Sequence, residues 1–303
     1  MSSRTSGILY ALLAYTIWGL FPIYFKALPD VPADQVLAHR VLWSVVLLAV
    51  AVPLLGRSAT LIQACRPIIL LSAVLIAANW GVYIWAVQSG RVLEASLGYF
   101  VNPLVSVLLG VVFLRERLRR RQIQAIALAA VGVVALVIRL HTVPWLPLTL
   151  ALTFGLYGLV RKHAGVDAVG GLLVEASVLA LPALAWVLFC ASRGTGAFGV
   201  RPSTTALLLA AGPVTAIPLV WFAMGVRRLP LSTVGILQYV TPTLQFLLAV
   251  ALYREPFGRA HAIAFGFIWT ALALYSWDSF QANRQGAPPG AGATSATAPP
   301  AQG

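Results

Sequence analysis

Four ionisable side chains fall inside or at the margin of long apolar runs. His39 and Arg40 lie in ADQVLAHRVLWSVVLL, Glu94 opens EASLGYFVNPL, and Glu175 lies in AVGGLLVEASVLAL. A charge held in hydrocarbon is costly, so each carries a functional expectation. The chemistry open to them is charge pairing and proton carriage. Arg40 is expected to pair with Glu94, or with the stretch that begins there, and so help close one end of the molecule. The competing reading has Arg40 snorkelling to the headgroups. Glu175 is the deepest carboxylate and the expected proton carrier; the competing reading is a structural carboxylate paired with Arg161, Lys162 or Arg227.

A second kind of chemistry comes from a polar residue set before a proline in mid-run, at Asn102-Pro103 and Thr241-Pro242. Proline lacks the amide hydrogen and frees a carbonyl one turn back. Such carbonyls and their polar neighbours can face a solute path. Tyr99, Gln238 and Tyr239 lie within a turn of these prolines. Asn79, Trp80 and Tyr83 form a further cluster, and Tyr15, Trp18 and Tyr157 another, with Gly19 and Gly158 beside them. Aromatic faces with a few amides suit a small amphipathic solute carrying an amine or a planar group. The competing reading is helix packing with interhelical hydrogen bonds.

The two prolines belong to a repeat. Glu94–Leu118, EASLGYFVNPLVSVLLGVVFLRERL, aligns without gaps to Thr233–Phe257, TVGILQYVTPTLQFLLAVALYREPF, 139 residues later. Val101/Val240, Pro103/Pro242, Leu108/Leu247, Leu109/Leu248, Val111/Val250, Arg115/Arg254 and Glu116/Glu255 are identical, and the same offset pairs Trp18-Gly19 with Tyr157-Gly158. Interrupted apolar segments at corresponding places in two halves point to a secondary transporter and to its binding site. The Arg-Glu pairs that end both segments read as anchors where a helix meets water.

Composition sets the elements that must hold these residues. The chain is 60% hydrophobic and 10% charged, with mean hydropathy +0.88. A soluble domain carries about a quarter charged residues. Ten helical spans are expected, near 7–27, 35–55, 68–89, 94–114, 122–139, 145–160, 169–190, 205–226, 232–253 and 260–280. Runs of roughly 17–23 apolar residues can cross about 30 Å of hydrocarbon as helix. The fold class is an all-α polytopic membrane protein of two five-helix repeats, residues 1–140 and 141–280, followed by a tail, 281–303, rich in Ala, Gly and Pro and expected to be disordered in the cytoplasm. Five spans per half is odd, so the second half enters from the opposite side and the repeat is inverted.

Thirteen Lys and Arg fall on the side of the N-terminus and seven on the other, which favours both termini in the cytoplasm. The net charge of +13 with its dense run RERLRRRQ reads as a topology anchor near anionic lipids, not as a nucleic-acid surface. The first apolar run is too long and too aromatic for a cleaved signal. Cys65 and Cys190 are expected on opposite sides of the membrane. The four histidines show no metal-ligand spacing, so neither metal nor cofactor is expected. Motifs for nucleotide binding or hydrolysis are missing as well.

YTIWGLFPIYFK at 15–26, HRVLWS at 39–44, NWGVYIWAV at 79–87, LEASLGYFVNPL at 93–104, FGLYGLVRK at 154–162 and LSTVGILQYVTPTLQFLLAV at 231–250 occur in order. Together they resemble the RarD-type permeases in the EamA branch of the drug/metabolite transporter superfamily, over residues 7 to 280. The resemblance implies ten helices in two inverted halves, a bacterial inner membrane, and a family known by a chloramphenicol-sensitivity phenotype. The reading that follows is a permease that moves a small organic solute by alternating access, with protons as the coupling ion. Two other classes stay open. A membrane enzyme on a lipid-linked substrate would have to use His39 with Glu94, and a non-transporting receptor would bind solute without flux.

Overall fold

The computed structural model describes residues 3–54, 67–114, 118–140, 143–164, 168–226, 228–229 and 237–284. Cys65, the Arg115-Glu116 anchor and the run 230–236 lie outside the described residues, as does the tail beyond Arg284. Helix is the dominant structure, and there is no strand among the described residues. The helices are α1 (Ser3–Lys26), α2 (Ala33–Leu54), α3 (Ile68–Gln88), α4 (Val92–Leu114), α5 (Arg120–Leu140), α6 (Trp145–Ala164), α7 (Ala168–Ser192), α8 (Pro202–Val226), α9 (Val240–Leu247) and α10 (Arg259–Arg284); a π-helical turn, Leu248–Leu252, continues α9. α10 runs four residues past the span end expected at 280. Among the described residues, eight helices are long and apolar enough to cross a membrane; those of Trp145–Arg161 and Val240–Leu252 are shorter apolar segments.

The helices are apolar on their outward faces as well as inside: Leu181 is 77% exposed and Val112 62%. An all-round apolar helix needs lipid on its outer side. Their ends follow local chemistry. α3 turns into α4 through Gly90, whose φ of +72° is the left-handed conformation glycine adopts without cost. The Arg91 amide then bonds back to the Ala86 carbonyl at 2.8 Å.

The packing places the functional residues. α1 lies against α8 and α9, and α6 lies against α3 and α4. α1 thus packs on helices late in the chain, and α6 packs back on helices early in it. α2 touches α7 and α8, while α5 and α10 pair with each other. α2 and α8 run parallel in close contact, with Gln35 at the start of α2 bonded to Ala197 just before α8. A Cβ on Gly212 would fall 2.5 Å from the Trp43 carbonyl oxygen, so only a glycine lets the helices meet there. One turn further along α8, Thr215 reaches Arg40.

α1 and α9 run parallel. Pro22 deprives the Trp18 carbonyl of its usual helical donor. Gln245 Nε2 supplies one from α9 at 3.2 Å, and Thr241 Oγ1 donates to the Tyr15 carbonyl at 2.8 Å. The end of the molecule where α1 stops and α2 starts is densely tied. Gln35 donates to the Thr195 carbonyl and accepts from the Ala197 amide, and Gln88 donates to the carbonyls of Leu28 and Val31.

The Arg254-Glu255 pair is more than an anchor. Arg254 adopts φ +53°, and the Glu255 amide bonds back to Ala249 at 2.9 Å. The turn aims the Glu255 carboxylate at the start of α4, where it accepts from the Val92 and Leu93 amides at 2.9 and 2.7 Å. A carboxylate at a helix N-terminus satisfies orphan donors and favours the dipole.

A buried guanidinium between the two helix sets

Arg40 projects from α2 and is 4% exposed. Its Nε donates to Thr215 Oγ1 of α8 at 2.8 Å. The guanidinium carbon lies 4.0 Å over the Trp80 ring of α3, and 5.3 and 5.8 Å from the rings of Phe21 and Phe25 on α1. Trp80 and Thr215 both sit near the middle of their helices, so the charge lies near mid-depth. It also lies between helices remote in the chain, since α1, α2 and α3 end by Gln88 and α8 starts at Pro202. The expected pairing of Arg40 with Glu94 does not occur. Glu94 is one turn from Arg91 and takes a bidentate pair from it, both bonds at 2.7 Å. Glu94 lines a cavity of about 420 Å³ at the α4 end with Trp145 and His261. Arg40 turns inward because the α2–α8 contact and the Trp80 face hold its stem and head.

The described carboxylates are all engaged away from Arg40. Asp30 pairs with Arg201, Asp34 accepts from Trp186, Glu94 pairs with Arg91, Glu175 with Arg161 and Asp278 with Arg119, and Glu255 caps α4. No carboxylate among the described residues pairs with Arg40. A hydrogen bond from a charged donor contributes about 1.5–3 kcal/mol and a desolvated cation–π contact about 2 kcal/mol. Together they offset part of the several kcal/mol that a buried ion costs, and no opposite charge on the described residues supplies the rest.

Three phenols surround this charge and interact with it electrostatically, those of Tyr24, Tyr83 and Tyr99. The Tyr24 hydroxyl donates to the Leu207 carbonyl at 2.7 Å. The Tyr99 hydroxyl donates to Asn79 Oδ1 at 3.4 Å. Tyr83 packs edge-on to Tyr99 and Phe25, at 5.4 and 6.0 Å, and its hydroxyl is buried with no partner. Asn79 is committed to packing, because its Nδ2 donates to the Leu150 carbonyl at 3.0 Å and to Thr153 Oγ1 at 2.9 Å. Asn102 lies one turn along α4 from Tyr99, and its Oδ1 is buried without a partner. Arg40, Trp80, Tyr83 and Tyr99 are thereby gathered, with Asn79 behind them.

The other expected residues separate. Tyr15 and Trp18 form a triangle with Phe222, at 5.4 to 5.7 Å between ring centroids. Thr241 spends its hydroxyl on Tyr15, so it ties α1 to α9. Tyr239 turns to α10, where its hydroxyl bonds Ser276. Gln238 is half-buried in the turn before α9. His39 follows the helix about 100° away from Arg40 and stacks on Phe198 at 5.1 Å. It lies apart from Glu94, whose partner is Arg91.

Glu175 is fully buried. It accepts from Ser72 at 2.6 Å, from Tyr157 at 3.2 Å and from Arg161 at 3.2 Å. The network joins α3, α6 and α7. A Cβ on Gly171 would overlap the Arg161 guanidinium, so glycine opens the berth that lets Arg161 reach Glu175. Tyr157 contacts Phe154, and Phe154 contacts Tyr99, at 6.0 and 6.3 Å. An aromatic line thus connects the two buried charges. Sequence reading missed Thr215, Ser72 and Gln245 as partners. Each is a lone polar residue in an apolar run, and Gln245 falls four residues after Thr241, on the same helical face.

Long apolar helices packed around a buried charge mark a multi-pass membrane protein. A profile of the EamA-like transporter family matches residues 5–138. An uncharacterized transporter of Pseudomonas aeruginosa is 46% identical, across 94% of this chain and 97% of its own length. Protein RarD of Escherichia coli K12 is also 46% identical, across 92% and 96%. A solved crystal structure shares the fold at a TM-score of 0.58 and 23% identity, covering 89% of this chain and 97% of its own. The chain belongs to the EamA-like family of drug/metabolite transporters, in its RarD-type branch.

Proposed function

We propose that this protein carries a small organic solute across the bacterial inner membrane by alternating access. Two inverted halves, residues 1–140 and 141–280, rock about the seam between them, and both termini face the cytoplasm. The observation that carries this reading is the Arg40 guanidinium, held at mid-depth between the helix sets among aromatic rings with no carboxylate partner. A buried charge is retained in a membrane where it serves transport. In this reading the solute sits near Arg40, Trp80, Tyr83, Tyr99 and Asn102, and Asn79 orients Tyr99. Tyr15 and Trp18 of α1, pinned by Thr241 and Gln245 of α9, form the wall where this half meets the other.

The coupling proton is assigned to Glu175. Its protonation discharges the pair with Arg161, which releases α7 from α6 at that end and lets the halves part. The test uses the purified full chain in liposomes loaded with a mixture of metabolites and drugs, with efflux read by mass spectrometry. Selective, protein-dependent loss of one compound class is expected, and loss should be steeper with an imposed pH gradient. Compounds chemically altered without flux would replace this reading with a membrane enzyme, and saturable binding without flux would replace it with a receptor.

A further inference from the structure

Arg40 lacks a counter-charge in a place where charge must be balanced. Six of the eight carboxylates of the chain are described, and each is engaged elsewhere. Glu116 and Asp167 are the other two. The Arg40 Nε is spent on Thr215. Its two Nη groups carry four further N–H donors and have no hydrogen-bond partner among the described residues. One turn along α3 from Trp80, on whose ring the guanidinium lies, Tyr83 is 2% exposed and its hydroxyl has no partner. Burying a charge and a hydroxyl without partners is unfavourable. A single group that accepts from both would relieve both.

Resting on the transporter reading, we propose that Arg40 and Tyr83 receive a carboxylate on the transported solute. A guanidinium presents two parallel donors that match the two oxygens of a carboxylate. The phenol supplies a third donor from the side, and the Trp80 face behind the guanidinium fixes its plane. Charge number selects the carboxylate over a phosphate. One guanidinium neutralises a monoanion, whereas a dianion would leave a net negative charge in low dielectric. Lys26, the lysine of α1, sits 4.0 Å over the Tyr253 ring instead. The solute body then meets Tyr99 and the rings of Phe21 and Phe25, which suits an apolar or planar residue of modest size. Binding also gives the α2–α8 seam a reason to close, because the carboxylate completes a charge that Thr215 holds from the other side.

The experiment uses the full chain, in detergent for binding and in liposomes for flux. Probes are aliphatic, aromatic and amino-acid monocarboxylates, among them benzoate and N-acetylleucine, each beside its neutral amide, with phenyl phosphate as the dianion. Thermal stabilisation reads binding. The parent chain is expected to prefer carboxylates over their amides by about tenfold or more, as one hydrogen-bonded charge pair requires. Arg40→Gln should lose that preference, and Arg40→Lys should keep it in weakened form. Tyr83→Phe removes only an unpartnered hydroxyl, so the protein should fold as the parent does; its KM for the carboxylate should rise about tenfold with the maximal rate retained.

The proposal is overturned if no carboxylate stabilises the parent, if phenyl phosphate is preferred to benzoate, or if Arg40→Gln keeps the parent's preference. The transporter reading fails separately. Flux of neutral solutes alone would remove the carboxylate site and leave transport standing. Carboxylate binding that depends on Arg40, without any flux, would leave the site and remove transport.

Discussion

Replacing Glu175 with glutamine tests whether the carboxylate holds α3, α6 and α7 together. The side chain keeps its shape and loses its charge. Arg161 then remains in place with its side chain only 12% exposed, and without the Glu175 carboxylate that balanced it. Removing one partner of a buried pair costs about 3–5 kcal/mol. The value should fall near the lower end, about 3 kcal/mol, because Arg161 keeps some exposure and the unfolded chain in a membrane or micelle also finds polar partners. The bonds from Ser72 and Tyr157 survive, since the glutamine oxygen still accepts. For a chain of this size each kcal/mol moves the melting temperature by roughly 2–4 °C, so Glu175→Gln should melt about 6–12 °C below the parent. Removing the second charge as well, in Glu175→Gln with Arg161→Gln, should restore much of that loss, because the charge that Glu175 balanced is gone too. Intrinsic tryptophan fluorescence during a thermal ramp in detergent reads all four proteins. A single variant that melts with the parent, or losses that add in the double variant, would refute the ion-pair clasp. The same Glu175→Gln protein in liposomes tests the proton assignment, which fails if flux keeps its full dependence on a pH gradient.

Two further outcomes follow from local geometry. Gln245→Leu should cost about 0.6 kcal/mol, the usual value for an interhelical bond in a membrane; in a Pro22→Ala background it should cost almost nothing, because the restored amide of residue 22 satisfies the Trp18 carbonyl, and equal costs in the two backgrounds in a double-mutant cycle would refute the argument. Burial holds the Glu255 carboxyl above its usual value of 4.5, against the lowering effect of the Val92 and Leu93 amides. The folded chain therefore binds more protons than the unfolded one between 4.5 and the raised folded value, so this group's contribution to stability is largest below that window and declines as pH rises through it. Glu255→Gln should lack that component of the melting-temperature slope between pH 4 and neutrality, and an unchanged slope would count against it.

Much of the frame was readable from residue order. The apolar runs predict helices whose bounds mostly fall within a few residues of those observed, because in lipid a run of that length has few other ways to satisfy its backbone; the ninth, expected from 232, starts as α9 only at Val240. Asn79, Trp80 and Tyr83 could be picked out as one cluster, since residues three and four apart on a helix share a face, and Tyr99 by its place a turn before Pro103; that Tyr99 of α4 meets Asn79 and Tyr83 of α3 could not. Arg40 could be picked out by its cost in hydrocarbon, but its partner could not. A seven-atom side chain reaches any of several helices, and the choice between Glu94 and Thr215 depends on which helix lies opposite. Thr241 and Tyr239 show the same limit. Both stand beside a proline, yet one hydroxyl is spent on α1 and the other faces α10.

Residue order thus dictates that the chain crosses a membrane many times, that the pattern of interrupted segments recurs, and that a few charges must be buried. Those properties follow from local free energies, the transfer of side chains to hydrocarbon and the backbone's demand for internal hydrogen bonds. Which buried charge is neutralised and which is left open was decided by tertiary packing. Gly171 lets Arg161 into contact with Glu175, while Gly212 brings α8 against α2 and meets Arg40 with a neutral threonine. A pair interaction depends on a distance of a few ångströms between helices remote in the chain, and only the assembled fold sets that distance.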